Sequence, residues 1–250
     1  MIDLNAISTR APEGMTKAET KKKTNHLARR IGDLQHLMYA ERKHNLLVVF
    51  QGMDASGKDG ATRKVFSYCN PTGINASPFK KPTEEEFSHD FLWRVNKRSP
   101  AQGMIQVFIR SHYEDVLIQR VHKWIDEDTV TQRINAINNW ERLLVQDNNT
   151  TILKFYMHLS PNKQKQKLQE RIDNPRKNWK HKDADWEEAK LWDQYMHCYT
   201  DAINRSEIPW IIAPVDQRWY RDYFIASRIL DTLESFDMKL PVLPGKPEVS

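Results

Sequence analysis

The residues of this chain best suited to chemistry lie in one short stretch, Gly52-Met53-Asp54-Ala55-Ser56-Gly57-Lys58, directly after the apolar run Leu46-Leu47-Val48-Val49-Phe50. Glycine, four residues, glycine and lysine is the spacing of a loop that cradles phosphate. The glycines permit a tight turn that brings successive N–H groups onto an anion. A helix start adds partial positive charge, and Lys58 adds a full one. The expected cradle is the backbone from Gly52 through Ala55, Ser56 and Gly57, with Asp59 and Gly60 in the turn beyond the lysine. The plainer alternative is a glycine-containing strand-to-helix turn with an exposed lysine. Asp59 departs from the common pattern, because the position after the lysine normally offers Mg²⁺ a Ser or Thr hydroxyl. A carboxylate beside bound phosphate needs a cation between them. So either Asp59 points away, or the metal site is built from carboxylates, with Asp54 inside the loop as a ready ligand.

Two more segments carry charge of the right kind. Lys80-Lys81 ends a weak strand candidate from Ala76, and Arg110-Ser111-His112-Tyr113-Glu114-Asp115 follows a confident one from Met104 to Ile109. Asp54, Glu114 and Asp115 can hold Mg²⁺, which takes carboxylate, water and phosphate oxygens, while Lys58, Lys80, Lys81 and Arg110 can hold phosphates. Residues 161–182 add eight Lys or Arg against two acids, among them Arg171, Arg176, Lys177 and Lys180. Such a run is commonly a solvated helix face. Placed after a sheet strand, it also occupies the position of a lid that excludes water and brings cations to a transferring group. Carboxylates bridged through metal to phosphate, among fixed cations, form the arrangement for phosphoryl transfer by positioning and charge stabilisation. A phosphate nucleophile has a second pKa of about 6, so it needs no strong base, and His89 and His112 read as scaffold. Trp179 either stacks on a base or packs the lid.

The elements that must position these residues alternate strand, loop and helix. Strands are expected at 46–50, 76–80, 104–109, 151–159 and 210–215. Residues 1–15 read as a mobile arm, and Thr16 with Glu19 as a capping box opening a helix to about His44 with Leu27, Ile31 and Leu34 on one face. Further helices are expected at 61–68, in a short stretch after the Thr83–Glu86 capping box, at 115–126, at 130–146, after the Ser160-Pro161 start signal, as one long aromatic-rich helix over 185–206, and at 219–236. The tail with Pro241, Pro244 and Pro247 reads as extended. This alternation implies an α/β fold, three layers with a mainly parallel sheet of about five strands covered on both faces. Ligands in such sheets bind at the carboxyl ends of the strands, which is where Asp54, Lys58, Lys80 and the 110–115 segment fall. The expected division is an arm and helix over 1–45, a phosphate-loop domain over 46–236 with its lid at about 161–185, and a tail over 237–250.

Composition narrows the partners. The 250 residues carry a net charge of +5, which favours anionic ligands without choosing among them. No apolar run approaches the roughly 18 residues of a membrane span and no secretory leader is evident, so a cytoplasmic protein is expected. The two cysteines, Cys69 and Cys198, lack metal spacing and read as free buried thiols. No Ser-His-Asp or Cys-His arrangement stands out.

Together, Phe50-Gln-Gly-Met-Asp-Ala-Ser-Gly-Lys-Asp-Gly60, Phe79-Lys80 with Pro82 and Glu84-Glu85, His89-Asp90-Phe91-Leu92-Trp93-Arg94, Arg110-Ser111-His112-Tyr113-Glu114-Asp115, Trp179-Lys180 and Arg218-Trp219-Tyr220-Arg221 resemble the polyphosphate kinase 2 family, most of all its class III branch. The likeness runs in order from about residue 30 to 236. It implies a P-loop kinase fold with a helical lid, and Mg²⁺-dependent (Mn²⁺ as an alternative) transfer between inorganic polyphosphate and AMP, ADP or ATP, with guanine nucleotides as alternative acceptors. It implies no nucleic acid or membrane partner, and a homo-oligomer, dimer or tetramer. By motif, Lys58 and the loop amides would hold the polyphosphate end, Asp54 and Asp115 the metal, and Arg110, Glu114, Arg94 and Trp179 the nucleotide. Asp54, Lys58, Arg110 and Asp115 would form the catalytic set. Arg171, Arg176, Lys177 and Lys180, with Lys80 and Lys81, would line a channel for the anionic chain. One position departs: Ile109 stands where the family has Asn or Asp, and an apolar side chain there cannot hydrogen-bond a nucleotide or metal-bound water. Two other readings stay open, an ATP-dependent kinase for a small acceptor and a non-catalytic polyanion or RNA binder.

Overall fold

The structure, a computed structural model, describes residues 1–242. Its elements in chain order are α1 (Lys17–Glu41), β1 (Asn45–Gln51), α2 (Lys58–Val65), β2 (Ile74–Pro78), α3 (Glu84–Phe87), α4 (Trp93–Asn96), β3 (Ile105–Ile109), α5 (Glu114–Val121), α6 (Glu127–Asn148), β4 (Thr150–His158), α7 (Pro161–Asp173), α8 (Asp183–Lys190), α9 (Trp192–Asn204), β5 (Trp210–Pro214) and α10 (Arg218–Glu234). The five strands form one parallel sheet in the order β2-β3-β1-β4-β5. β1 is central and buried along its whole length, as an apolar run covered on both faces must be. Its residues divide by parity. Leu46, Val48 and Phe50 face a core shared with α1, α2 and α10, while Leu47 and Val49 face one shared with α5, α6 and α9. The three-layer α/β/α arrangement with five strands agrees with the sequence.

Several local expectations need correcting. The arm is not mobile. Leu4 is buried, Ile2 and Asn204 exchange hydrogen bonds (2.6 and 2.9 Å), and the Thr9 hydroxyl donates to Asp216 (2.9 Å). The Thr16 capping box does not close, because the hydroxyl donates to the Glu19 carboxylate (2.9 Å) instead of accepting a backbone N–H. The box at Thr83 and Glu86 does form. The expected long helix over 185–206 breaks at Leu191, and the break lets both Leu191 and Trp192 pack against the core. A continuous helix would turn consecutive side chains about 100° apart. In the tail, 237–242 form no regular element, and 243–250, with Pro244 and Pro247, lie outside the described residues. Among the described residues no helix is long and apolar enough to cross a membrane, and both cysteines are free, Cys198 buried and Cys69 half-buried.

The segment expected to form the lid folds as α7, a 3₁₀ turn at Asn178–Lys180, and the start of α8. Ser160 accepts the Lys163 N–H (3.3 Å) with Pro161 in the first turn, as the start signal requires. Asp216 in turn accepts from the Ser160 hydroxyl (2.8 Å) and N–H (2.9 Å). The carboxylate that receives Thr9 therefore also fixes the base of the lid.

Candidate active site

β1 ends in the glycine loop, and three of its residues sit in the left-handed half of backbone space: Gly52 (φ 145°), Ala55 (φ 64°) and Gly57 (φ 93°). At Gly57 the Arg221 side chain also stands close. A β-carbon there would lie 2.2 Å from a guanidinium nitrogen of Arg221, which donates to the Gly57 carbonyl at 3.1 Å. Lys58 opens α2 and is buried. Its ammonium donates to the carbonyls of Gly52 (2.7 Å) and Met53 (3.2 Å) and reaches the Ser56 hydroxyl (3.4 Å). Burial and the neighbouring Arg110 guanidinium push its pKa down to about 8.

Arg110 closes β3 at φ 62°, its N–H bound to the Phe50 carbonyl (2.9 Å), and its guanidinium is paired with Asp54. Burial opposes the charge on Arg110, yet the Glu114 and Asp54 carboxylates outweigh it and keep the guanidinium protonated. Burial also works against an ionised Asp54, and here Arg110 and Lys58 win, holding its carboxyl below the usual range. Gln51 joins the ends of β1 and the 110–115 turn, accepting from the Ser111 hydroxyl (3.2 Å) and donating to Glu114. Asp54, Lys58, Arg110 and Glu114 are thus one cluster at the carboxyl ends of β1 and β3. Neither of two clefts, of ≈ 450 Å³ beside Arg42 and Arg98 and ≈ 940 Å³ beside Trp124 and His197, touches this cluster. Charge marks the site, not depth.

Two expected residues lie elsewhere. Asp115, read as a metal ligand and catalytic group, is buried, with one oxygen on Arg94 (3.3 Å) and the other on Gln119 (2.6 Å). Burial raises its pKa, against the pull of Arg94 and Arg133. The chain turns into α5 at this point, so Glu114 faces the cluster and Asp115 faces the core. Arg94, read as a nucleotide contact, is also buried. It donates to the Lys80 carbonyl (2.9 Å) and lies over the Phe79 ring, 5.5 Å from its centre. It braces the segment that carries Lys80 and Lys81, both exposed. Ile109 is half-buried against the α1–α2–α10 core, a packing residue.

The segment expected as the lid approaches the cradle at two residues. Lys180 stands 3.7 Å from Asp59, and the charge of Arg171 is felt at Asp54. Asp59 is exposed and turned toward Lys180. Other lid cations are paired within the lid, Arg171 with Asp185 and Lys177 with Glu170. Arg176 is exposed, as is Trp179, whose ring faces Lys180 rather than the core.

The site also contains cations not assigned from the sequence. Lys167 of α7 is pushed down to about 8 by burial, then by Arg221, Arg218 and Lys163. Arg63 of α2 adds to the positive field at Arg221. Five cations from three helices therefore share one positive field, and Arg221 among them touches Gly57. Arg218 and Arg221 stood in a quoted motif, but only the packing of α10 against α2 reveals their target.

Among the described residues no group of three or more His, Cys, Asp or Glu could hold a metal ion. Asp54, with Arg110 on its Oδ1, and Glu114 still suit Mg²⁺, which commonly takes one or two carboxylates and completes its shell with water and phosphate oxygens.

The chain is similar to known proteins over most of its length. The family described as Polyphosphate kinase 2 (PPK2) matches residues 14–241. An AMP/ADP-polyphosphate phosphotransferase of Meiothermus ruber is 44% identical over 218 residues, 86% of this chain and 81% of the relative. An ADP-polyphosphate phosphotransferase of Rhodopseudomonas palustris is 40% identical over 227 residues, 85% of this chain and 78% of the relative. The crystal structure of polyphosphate kinase 2 from Arthrobacter aurescens superposes with a TM-score of 0.94 at 37% identity, covering 98% of this chain and 90% of that one.

Proposed function

The chain belongs to the polyphosphate kinase 2 family, and we propose that it moves phosphoryl groups from inorganic polyphosphate to AMP and ADP. It is a polyphosphate-dependent nucleotide phosphotransferase, as its relatives are named. The observation that carries the reading is the two-sided charge around Lys58. On one side Arg221 donates to the Gly57 carbonyl, and Lys163, Lys167 and Arg218 share its positive field, a cationic approach fitted to a long polyanion. On the other stand Arg110, Glu114 and the exposed Lys80 and Lys81, for a smaller phosphate-bearing acceptor.

In this reading a terminal phosphate oxygen of the acceptor attacks the end phosphorus of polyphosphate. The bond to the next bridging oxygen breaks, and the chain leaves one unit shorter with the electron pair. The loop amides and Lys58 hold the donor end, Arg110 steadies charge on the transferring group, and the lid keeps out water. Asp54 and Glu114 would hold Mg²⁺, or Mn²⁺ in its place, which would supply further neutralisation of phosphate charge. Trp179 is free to stack on the acceptor base as the lid moves.

The deciding experiment is nucleotide chromatography of AMP incubated with long-chain polyphosphate, Mg²⁺ and protein freed of adenylate kinase. ADP and then ATP are expected. Absence of both, with ATP-dependent phosphorylation of another acceptor, would replace this reading by an ordinary P-loop kinase.

A further inference from the structure

Beneath the 110–115 turn an ion pair lies wholly inside the protein. Lys154 of β4 and Glu141 of α6 have side chains 0% and 1% exposed. The Lys154 ammonium donates to Glu141 Oε2 (2.5 Å), to the Tyr113 hydroxyl (2.8 Å) and to the Ser206 hydroxyl (2.5 Å). The Tyr113 hydroxyl donates to Glu141 Oε1 (3.0 Å), and His112 Nε2 lies 3.4 Å from the same oxygen. Trp140 packs edge-on against His112 and Trp210 against Tyr113, each with ring centres 4.8 Å apart. Glu141 therefore grips two consecutive residues of the turn from below, while Gln51 grips Ser111 and Glu114 from the cradle side.

Two charges are costly to desolvate, and apolar residues of similar volume often serve stability as well or better. The pair is better explained by what it fixes. Two residues before His112 the backbone holds Arg110 in a left-handed conformation at φ 62°, and immediately after Tyr113 comes Glu114. A small slip of this turn would displace both side chains that face Lys58.

We propose that the Glu141–Lys154 pair, acting through Tyr113 and His112, is a positioning device for phosphoryl transfer that locks the 110–115 turn where Arg110 and Glu114 meet the cradle. These buried residues touch no substrate, and the proposal rests on the phosphotransferase reading above.

The test compares wild-type protein with Glu141→Leu/Lys154→Met, Glu141→Gln/Lys154→Met and Tyr113→Phe. The first removes both charges together, so no unpaired ion is left inside. Misplacement of a reacting group by an ångström can cost about a hundredfold in rate, so its kcat should fall about ten- to a hundredfold while KM for polyphosphate stays within about twofold. Glutamine restores an acceptor for Tyr113 and should recover most of kcat. Tyr113→Phe, which deletes one hydroxyl, should lower kcat with circular dichroism and Tm close to wild type. Wild-type kcat in the folded Leu/Met variant overturns the proposal. If that variant does not fold, wild-type kcat in Tyr113→Phe does so instead. A fall in kcat that only tracks loss of folded protein, with KM for polyphosphate worsening alongside, also overturns it by showing a merely structural role. An inactive wild-type protein would overturn the functional reading itself, whereas an active one with unaffected variants overturns the positioning role alone.

Discussion

Lys58 is the side chain on which the site's behaviour with pH turns. Its pKa of about 8, against an ordinary 10.5, results first from burial and then from Arg110. Phosphate binds the protonated form, so binding raises this pKa, and affinity for polyphosphate should hold up to about pH 8 and weaken beyond it, by at most about tenfold per unit. Lys167, also at about 8, pushes in the same direction. The effect on folding has the opposite sign. In the folded protein these lysines shed protons before the unfolded chain does, so they oppose folding most below pH 8, and this cost fades as pH rises toward 10.5. Measuring KM for polyphosphate from pH 7 to 9.5 tests the binding half, and a flat profile would remove Lys58 and Lys167 from polyanion contact. Lys58→Ala should abolish transfer, scored by ATP formation from ADP, with the fold retained by circular dichroism.

The elements divide into those written in local pattern and those set by tertiary contact. Every strand was legible within two residues, four of them because buried parallel strands read as short apolar runs between glycine, proline and polar punctuation; β2, mostly exposed at the sheet edge, gave the weakest signal. The lid base was legible from Ser160 and Pro161. The N-terminal arm was not. Leu4 is a single apolar residue in a polar stretch, and its pocket between distant elements exists only after folding. Likewise Asp115 and Glu114 are both acidic at adjacent positions, and only the start of α5 decides which one faces the cluster. Leu4→Ala should cost about 2–5 kcal/mol, as for a buried leucine, and Ser160→Ala about 1 kcal/mol, as for a lost N-cap. Urea unfolding monitored by tryptophan fluorescence measures both. An unchanged midpoint for Leu4→Ala would return the arm to the solvent.

At the scale of the molecule, the positive charge is a path assembled from α2, α7 and α10, and no stretch of sequence displays it whole. Lys163 and Lys167 were visible as part of a basic run, but Arg218 lies far along the chain from them, and its role appears only when α10 is placed. Removing one such charge should weaken polyphosphate binding while sparing the rate at saturation. Arg218→Ala and Lys177→Ala are each expected to raise KM for polyphosphate and to flatten its dependence on salt by about one ion, by analogy with other polyanions. Equal losses of kcat at saturating polyphosphate would contradict that division. The sheet that carries the site also has blunt margins. Both of its outer strands, β2 and β5, are five residues long and end in proline, Pro78 and Pro214. Proline offers no N–H to a newcomer, and short margins give little for a neighbouring chain to template on. Copies of this protein brought close together on one long polyphosphate strand are therefore poor partners for runaway ribbon growth, and an assembly that forms among them has to be built from its outer helices.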